Sequence, residues 1–272
     1  MQIAFWSNMH GQAATTANAV AAACFLALKT SYRILVTQNH IEMNALEHYL
    51  LRKREQAAIR MLDYTNQGLD ALIRLYRNGR LRPEMIPDYT WSLMKNHGLD
   101  LLFGSAKREN LCAEKQDLLL NIFMCAKACY DLIILDLHSG LEGTNSRRLL
   151  ENSDIIVCCL SQNRVLLDDF RRTMEEHPVL AGKRTAYVIS RYEPASSLTL
   201  GNIAREYGLD AKSLFPVPYH VGFMDACNTG RVFDFMAYCL QARKGPDHEF
   251  AQAFSGLVDH VLKGCEKCPS PT

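Results

Sequence analysis

The chain has 272 residues, is 48% hydrophobic and 22% charged, and carries a formal net charge of +1. That length and apolar share can supply one sizeable core. The near-neutral balance excludes a strong whole-molecule attraction to nucleic acid or anionic lipid and leaves room only for a local basic patch. No apolar run is long enough to span a bilayer. Met1-Gln2-Ile3-Ala4-Phe5-Trp6 reads as a short strand, without the basic flank and apolar run of a secretory signal. A cytoplasmic protein is expected.

In chain order, residues 2–6 are predicted as a strand and 15–28 as a buried helix rich in good helix formers. Arg33-Ile34-Leu35-Val36-Thr37 is a second strand. The stretch 42–80 is charged and helical in composition, with breaks expected near Gly68 and Gly79, and Pro83 and Pro87 punctuate a loop. Leu99 to Gly104 reads as a third strand and 114–129 as a helix. Asp131-Leu132-Ile133-Ile134-Leu135-Asp136 is a continuous apolar strand ending in a carboxylate, and 155–160, 185–190 and 214–217 are further strands. Residues 248–263 close the chain as a helix, leaving a tail to 272.

Strands that are apolar throughout belong to parallel sheets covered on both faces, and the intervening helices supply the covers. The expected fold class is α/β, a doubly wound and mostly parallel sheet flanked by helices. There is no linker, repeat or low-complexity block, so 1–272 reads as a single domain. Ligands in such sheets bind beyond the carboxyl ends of the strands.

Ten cysteines suggest a scaffold, but Cys24, Cys125, Cys129, Cys158 and Cys159 fall inside apolar patterns, where a thiol serves as a small hydrophobe. Cys265 and Cys268 in the tail form a lone C-x-x-C pair, half a metal or redox site at most.

The segment Ser7-Asn8-Met9-His10-Gly11-Gln12-Ala13-Ala14-Thr15-Thr16 joins the first strand to the first helix. A phosphate loop needs small residues for close backbone approach, a helix N-terminus aimed at the anion, a hydroxyl for magnesium and usually a lysine. This segment has all but the lysine. Together with Tyr130 to Asp136 followed by His138-Ser139-Gly140-Leu141, Leu150 to Val157, Ile189-Ser190-Arg191-Tyr192, and Phe215 to Tyr219 followed by Asp225, Ala226 and Gly230, it resembles the MinD/ParA group of deviant P-loop ATPases over nearly the whole chain.

The resemblance implies nucleotide-binding roles for Gly11, Gln12, Ala13, Ala14, Thr15, Thr16, Arg191 and Pro218, with ATP as ligand and magnesium held by Thr15 and Asp136. It also implies a homodimer. The departures sit where that family keeps charge: Met9 replaces the signature lysine, Ala14 the phosphate-cradling lysine, and Gln38 the aspartate that orients the attacking water. Glutamine can position water by hydrogen bonding but is not a base. Loss of such contacts typically slows turnover by roughly 100-fold or more, so weak or no ATP hydrolysis is expected. His40, beside Gln38, reads as a solvated loop histidine.

Among atypical-loop members the chain is similar in character to the TadZ/CpaE proteins that place pilus and secretion machinery, which implies protein partners in such an assembly and a polar or partner-mediated membrane position. The closing helix carries Glu249, Asp259 and only Lys263 as a Lys/Arg, so direct membrane insertion is not expected. Arg52, Lys53, Arg54, Arg60, Arg74, Arg77, Arg80 and Arg82 read as a solvated face; DNA contact is the less favoured reading. Two alternatives remain at this level: a partitioning ATPase acting on nonspecific DNA, and a pseudo-ATPase scaffold without nucleotide. A dehydrogenase is disfavoured, because no G-x-G-x-x-G follows the first strand.

Overall fold

The computed structural model describes residues 1–40, 45–61, 67–111, 116–142 and 145–263. Cys265 and Cys268, and parts of the stretches expected to be helical between 42 and 80 and between 114 and 129, lie outside these residues.

The strands β1 (Gln2–Trp6), β2 (Ile34–Gln38) and β5 (Leu132–Asp136) are buried at every residue, as expected of apolar strands covered on both faces. With β3 (Trp91–Met94), β4 (Leu99–Leu101), β6 (Ile155–Ser161), β7 (Thr185–Tyr192) and β8 (Leu214–Pro218) they form one eight-stranded sheet ordered β3-β4-β2-β5-β1-β6-β7-β8. All neighbours pair parallel except β3 with β4. Pro216 and Pro218 are tolerated in β8 because it is an edge strand. The expected doubly wound α/β class is therefore correct.

Helix α1 (Thr15–Lys29) is apolar around its whole circumference from Ala19 to Ala27. It lies between the strands β1, β2 and β5 and the helices α2 (Ala45–Leu50), α11 (Val232–Cys239) and α12 (Pro246–Leu262). Its alanines let these neighbours come close. The remaining helices are α3 (Lys53–Met61), α4 (Gly68–Arg77), α5 (Gln116–Ala126), α6 (Ser146–Glu151), α7 (Arg164–Glu176), α8 (Pro178–Ala181), α9 (Leu200–Tyr207) and α10 (Val221–Thr229). Among them α4, α5 and α6 touch in sequence, α6 meets α8, and α7 packs on α8, α9 and β6.

The structure differs from the sequence reading in several elements. Strand β3 fell in a stretch without strand signal, and the third predicted strand stops at Leu101. Beyond it the Gly104 N–H is taken by the Glu47 carboxylate, which ends the ladder. Gly68, near which a break is expected, opens α4. Its φ is +65°, and a Cβ there would lie 2.8 Å from the Cβ and carbonyl oxygen of Phe103. Gly79 follows α4 at φ +64°, the expected stop. Helix α12 starts at Pro246, with proline in its first turn and Asp247 and Glu249 at its positive end. Cys24, Cys158 and Cys159 are fully buried as expected, whereas Cys125 and Cys129 are only half-buried.

A cleft at the carboxyl edge of the sheet

The segment after β1 is fixed at both ends by side chains distant in sequence. The Trp6 indole N–H donates to the Gly140 carbonyl at 3.0 Å, and the Gly140 N–H donates back to Ser7 at 3.1 Å. The Asn8 amide donates to the Leu166 carbonyl at 3.0 Å and the Asp169 carboxylate at 2.8 Å, both on α7. The Ala13 carbonyl accepts from the Ser190 hydroxyl at 2.6 Å and the Asn18 amide at 3.3 Å. Gly11 (φ +72°) between these anchors and Ala14 (φ +50°) just after them turn the chain through the left-handed region, which for alanine costs about 1–2 kcal/mol. Ala14 is the N-cap of α1, and its methyl offers no capping acceptor. The first turn of α1 has no acidic residue of its own to answer its positive end.

That end opens on a cleft of about 510 Å³, within the size range of small-molecule sites. It is lined by His10, Gly11, Ala14, Thr15, Thr16, His40, Tyr49, Ser139, Arg191, Pro218, Tyr219, Met224 and Asn228, among others. Of the residues expected to bind nucleotide, Gly11, Ala14, Thr15, Thr16, Arg191 and Pro218 thus share one cleft. Gln12 is exposed outside the lining, and Ala13 is buried beneath the loop. Met9, where the resemblance leads one to expect a lysine, is half-buried and packs on the core.

Asp136 and Gln38 do not line the cleft. They are side by side in the β2–β5 register and almost fully buried. The His40 ring stands between Asp136 and the cleft, with its Nε2 3.1 Å from Asp136 Oδ2 and a side-chain exposure of 12%. Sequence reasoning placed His40 in solvent; the structure corrects this, because Asp136 draws the ring inward. Among the described residues neither Asp136 carboxylate oxygen accepts a hydrogen bond, and the His40 contact is an ion-pair approach.

Burial alone would lower the His40 pKa. The charge of the nearby Asp136, with a smaller contribution from Glu47, outweighs it and holds the pKa above its ordinary value. His40 also tilts against His138 at 5.8 Å between ring centroids, and His138 stacks on His10 at 5.7 Å.

Glu47, on α2, is the second residue the sequence did not reveal. Its carboxyl accepts the Gln38 amide at 2.5 Å and the Gly104 N–H at 3.0 Å. Burial raises its pKa; the two hydrogen bonds oppose this only in part. His220, also in the lining, accepts the Phe223 N–H at Nδ1 at 3.2 Å and caps α10. Its Nε2 is 3.1 Å from Asp247, and its ring lies edge-on to Phe235 and Phe250.

The arrangement suits an anion at the α1 terminus, with a flat group toward Pro218 and Tyr219 and Arg191 as a cation at the rim. It suits magnesium poorly. Thr15 lines the cleft, but Asp136 does not, and His40 stands beside Asp136 on the cleft side. Among the described residues, no group of three or more His, Cys, Asp or Glu is placed to hold a metal ion.

No protein-family model matches the chain, and no curated protein matches it in sequence. Solved structures do match in fold. A ParA family ATPase from Chlorobium tepidum superposes with a TM-score of 0.72 at 15% identity, covering 96% of this chain and 98% of its own. The septum site-determining protein MinD of Pyrococcus horikoshii, complexed with Mg-ADP, gives 0.68 at 17% identity, covering 97% of each chain. The MinC:MinD cell division complex of Aquifex aeolicus gives 0.67 at 16% identity, covering 99% of this chain and 98% of that one. At these identities the likeness establishes the fold: that of the ParA and MinD P-loop ATPases.

Proposed function

We propose that the chain is a ParA/MinD-type localisation or scaffold protein that binds a nucleotide and hydrolyses it weakly or not at all. The observation that carries this is the cleft itself. The uncapped positive end of α1, the Gly11–Thr16 turn and Arg191 converge on one space at the carboxyl edge of the sheet, where ligands of doubly wound folds bind. The Mg-ADP held by the P. horikoshii relative supports ATP as the nucleotide class.

Weak turnover follows from the charges the site lacks. Ala14 and Met9 replace lysines, and the Gln38 amide donates to Glu47. Gln38 therefore remains a water-positioning group at most. Magnesium at Thr15 and Asp136 is the arrangement the resemblance implies, and it requires His40 to leave its present place.

The biological role that best fits such a protein is to position a Tad/Flp-type pilus or secretion assembly as a nucleotide-dependent homodimer with protein partners, after the manner of TadZ/CpaE. The complex of a MinD relative with MinC is a precedent for partner recruitment. Among the described residues no helix is long and apolar enough to cross a membrane, so association with one would run through partners.

Titrating a fluorescent ATP analogue into the protein, with light scattering to read mass, tests the switch. Binding with a doubling of mass is expected. Absence of both at millimolar ATP would reduce the protein to a scaffold without nucleotide. Exposed Arg54, Arg74, Arg80 and Arg82 favour the second reading, a partitioning protein on nonspecific DNA; that reading requires DNA affinity that falls steeply with salt.

A further inference from the structure

Helix α10 forms one wall of the cleft, through Phe223, Met224, Cys227 and Asn228. It is pinned at both ends. At its C-terminus Gly230 lies against the Leu51 backbone. At its start the Phe223 N–H donates to His220 Nδ1 at 3.2 Å, so the N-cap of this helix is an imidazole. The usual caps, Ser, Thr, Asp and Asn, keep their acceptor through neutral pH, whereas histidine loses one to a proton. A ring nitrogen that accepts a hydrogen bond carries no proton. The capping form is therefore the neutral imidazole with its hydrogen on Nε2.

The His220 ring is enclosed. Its side chain is 11% exposed. Phe235 and Phe250 stand edge-on to it at 5.1 and 5.3 Å between centroids, and a Cβ on Gly222 would come within 3.2 Å of its Cε1. Phe223 in turn packs on Phe250 at 4.8 Å. The charged group facing the ring is Asp247 of α12, 3.1 Å from Nε2. Cys239 of α11 lies near Asp247, and burial pushes its thiol up to about 12, so it stays neutral. On α2, which packs on α10, Tyr49 is a phenol whose pKa burial raises. Asp247 stands on the Nε2 side, which carries a hydrogen in both forms of the ring. A second proton has to go on Nδ1, where it meets the Phe223 N–H instead of accepting from it.

We infer that His220 is a proton-sensitive positioning residue: as a neutral cap it holds the α10 wall of the cleft in place, and protonation at Nδ1 releases that wall, so that the cleft binds its nucleotide less tightly as pH falls. The inference rests on reading the cleft as a nucleotide site. A proton that is taken up only when the cap breaks favours the uncapped state. The ligand favours the capped one, so by linkage each weakens the other. The expected size is the worth of one N-cap, about fivefold in affinity.

Nitrogen-15 NMR of the histidine rings and backbone amides, on the full wild-type chain, tests the cap directly. At about pH 8 the His220 ring should be the Nε2–H tautomer. On acidification to about pH 5 it should take up a second proton, and the Phe223 amide resonance should move in step with it. An Nδ1–H tautomer at the higher pH, a ring still neutral at the lower one, or a Phe223 amide that ignores the ring each overturns the inference.

A second measurement compares binding of the fluorescent ATP analogue at about pH 8 and about pH 5.5 in the wild type and in His220→Asn, which keeps a capping acceptor that does not titrate. Ionisation of the analogue and of the other histidines is common to both proteins. The wild type should lose about fivefold more affinity on acidification than the variant does. A wild-type loss no greater than the variant's overturns the inference. If circular dichroism shows that His220→Asn folds poorly, the NMR of the wild type decides alone. Failure of the analogue to bind at either pH sinks the nucleotide reading of the cleft, while the NMR still decides whether His220 is a titrating cap.

Discussion

At the scale of single residues, the unusual feature is a buried set of titratable groups, His40, Asp136 and Glu47, behind the cleft. His40 is held above its ordinary value of 6.5 by Asp136 and Glu47 against the opposing effect of burial. A histidine so raised contributes stability that is fully present below its unfolded pKa and is lost as pH rises through the folded one. Urea midpoints measured across that window should fall in the wild type, and the fall should be absent in His40→Gln. NMR of the His40 ring should titrate at higher pH than a free imidazole. Burial raises Glu47 from its ordinary value of 4.5, so the folded state holds its proton more tightly than the unfolded chain does. That contribution also runs downward as pH rises, from 4.5 to the folded pKa, and should disappear in Glu47→Gln. The two windows begin at different ordinary values, 4.5 for Glu47 and 6.5 for His40.

At the scale of elements, the cleft depends on turns that join neighbouring units. Gly230 closes α10 at φ +68°, where a Cβ would fall 2.0 Å from the Leu51 carbonyl oxygen and 2.9 Å from the Arg52 nitrogen, both backbone atoms. Neither can swing aside as a side chain would. Gly230→Ala is expected to cost at least about 2 kcal/mol, read as a lower urea midpoint, and to loosen the contact between α10 and the end of α2. The Trp6 N–H bond to Gly140 ties the loop after β1 to the loop after β5. Trp6→Phe removes that donor inside the fold and should destabilise by roughly 1–3 kcal/mol. Circular dichroism with urea checks both variants. The helices and strands that can be read along the chain are those whose own residues repeat one chemistry: β1, β2, β5 and α1 are apolar at nearly every position. Strand β3 could not be read so, because Trp91–Met94 is a half-exposed edge strand whose order comes from pairing antiparallel to β4. Helix α4 begins at a glycine for a reason that exists only once Phe103 is packed above it.

At the scale of the whole molecule, the fold of the ParA and MinD ATPases is present with a loop stripped of lysine. Steady-state hydrolysis in excess ATP and magnesium should be at least about 100-fold below that of a lysine-bearing relative assayed alongside. A rate within tenfold of that relative would end the view of the loop as a binding element. Amino-acid sequence alone determined the sheet order's raw material, the place of the loop and the absence of its charges. Each of these depends on residues adjacent in the chain, whose periodicity and type are visible without folding. Tertiary structure alone decided which loop residues reach the cleft, leaving Gln12 outside and Ala13 beneath. It also decided that His40 answers Asp136 and that Glu47 holds Gln38. Those pairs join residues from different elements, and their energies arise from burial away from water, which no local pattern records.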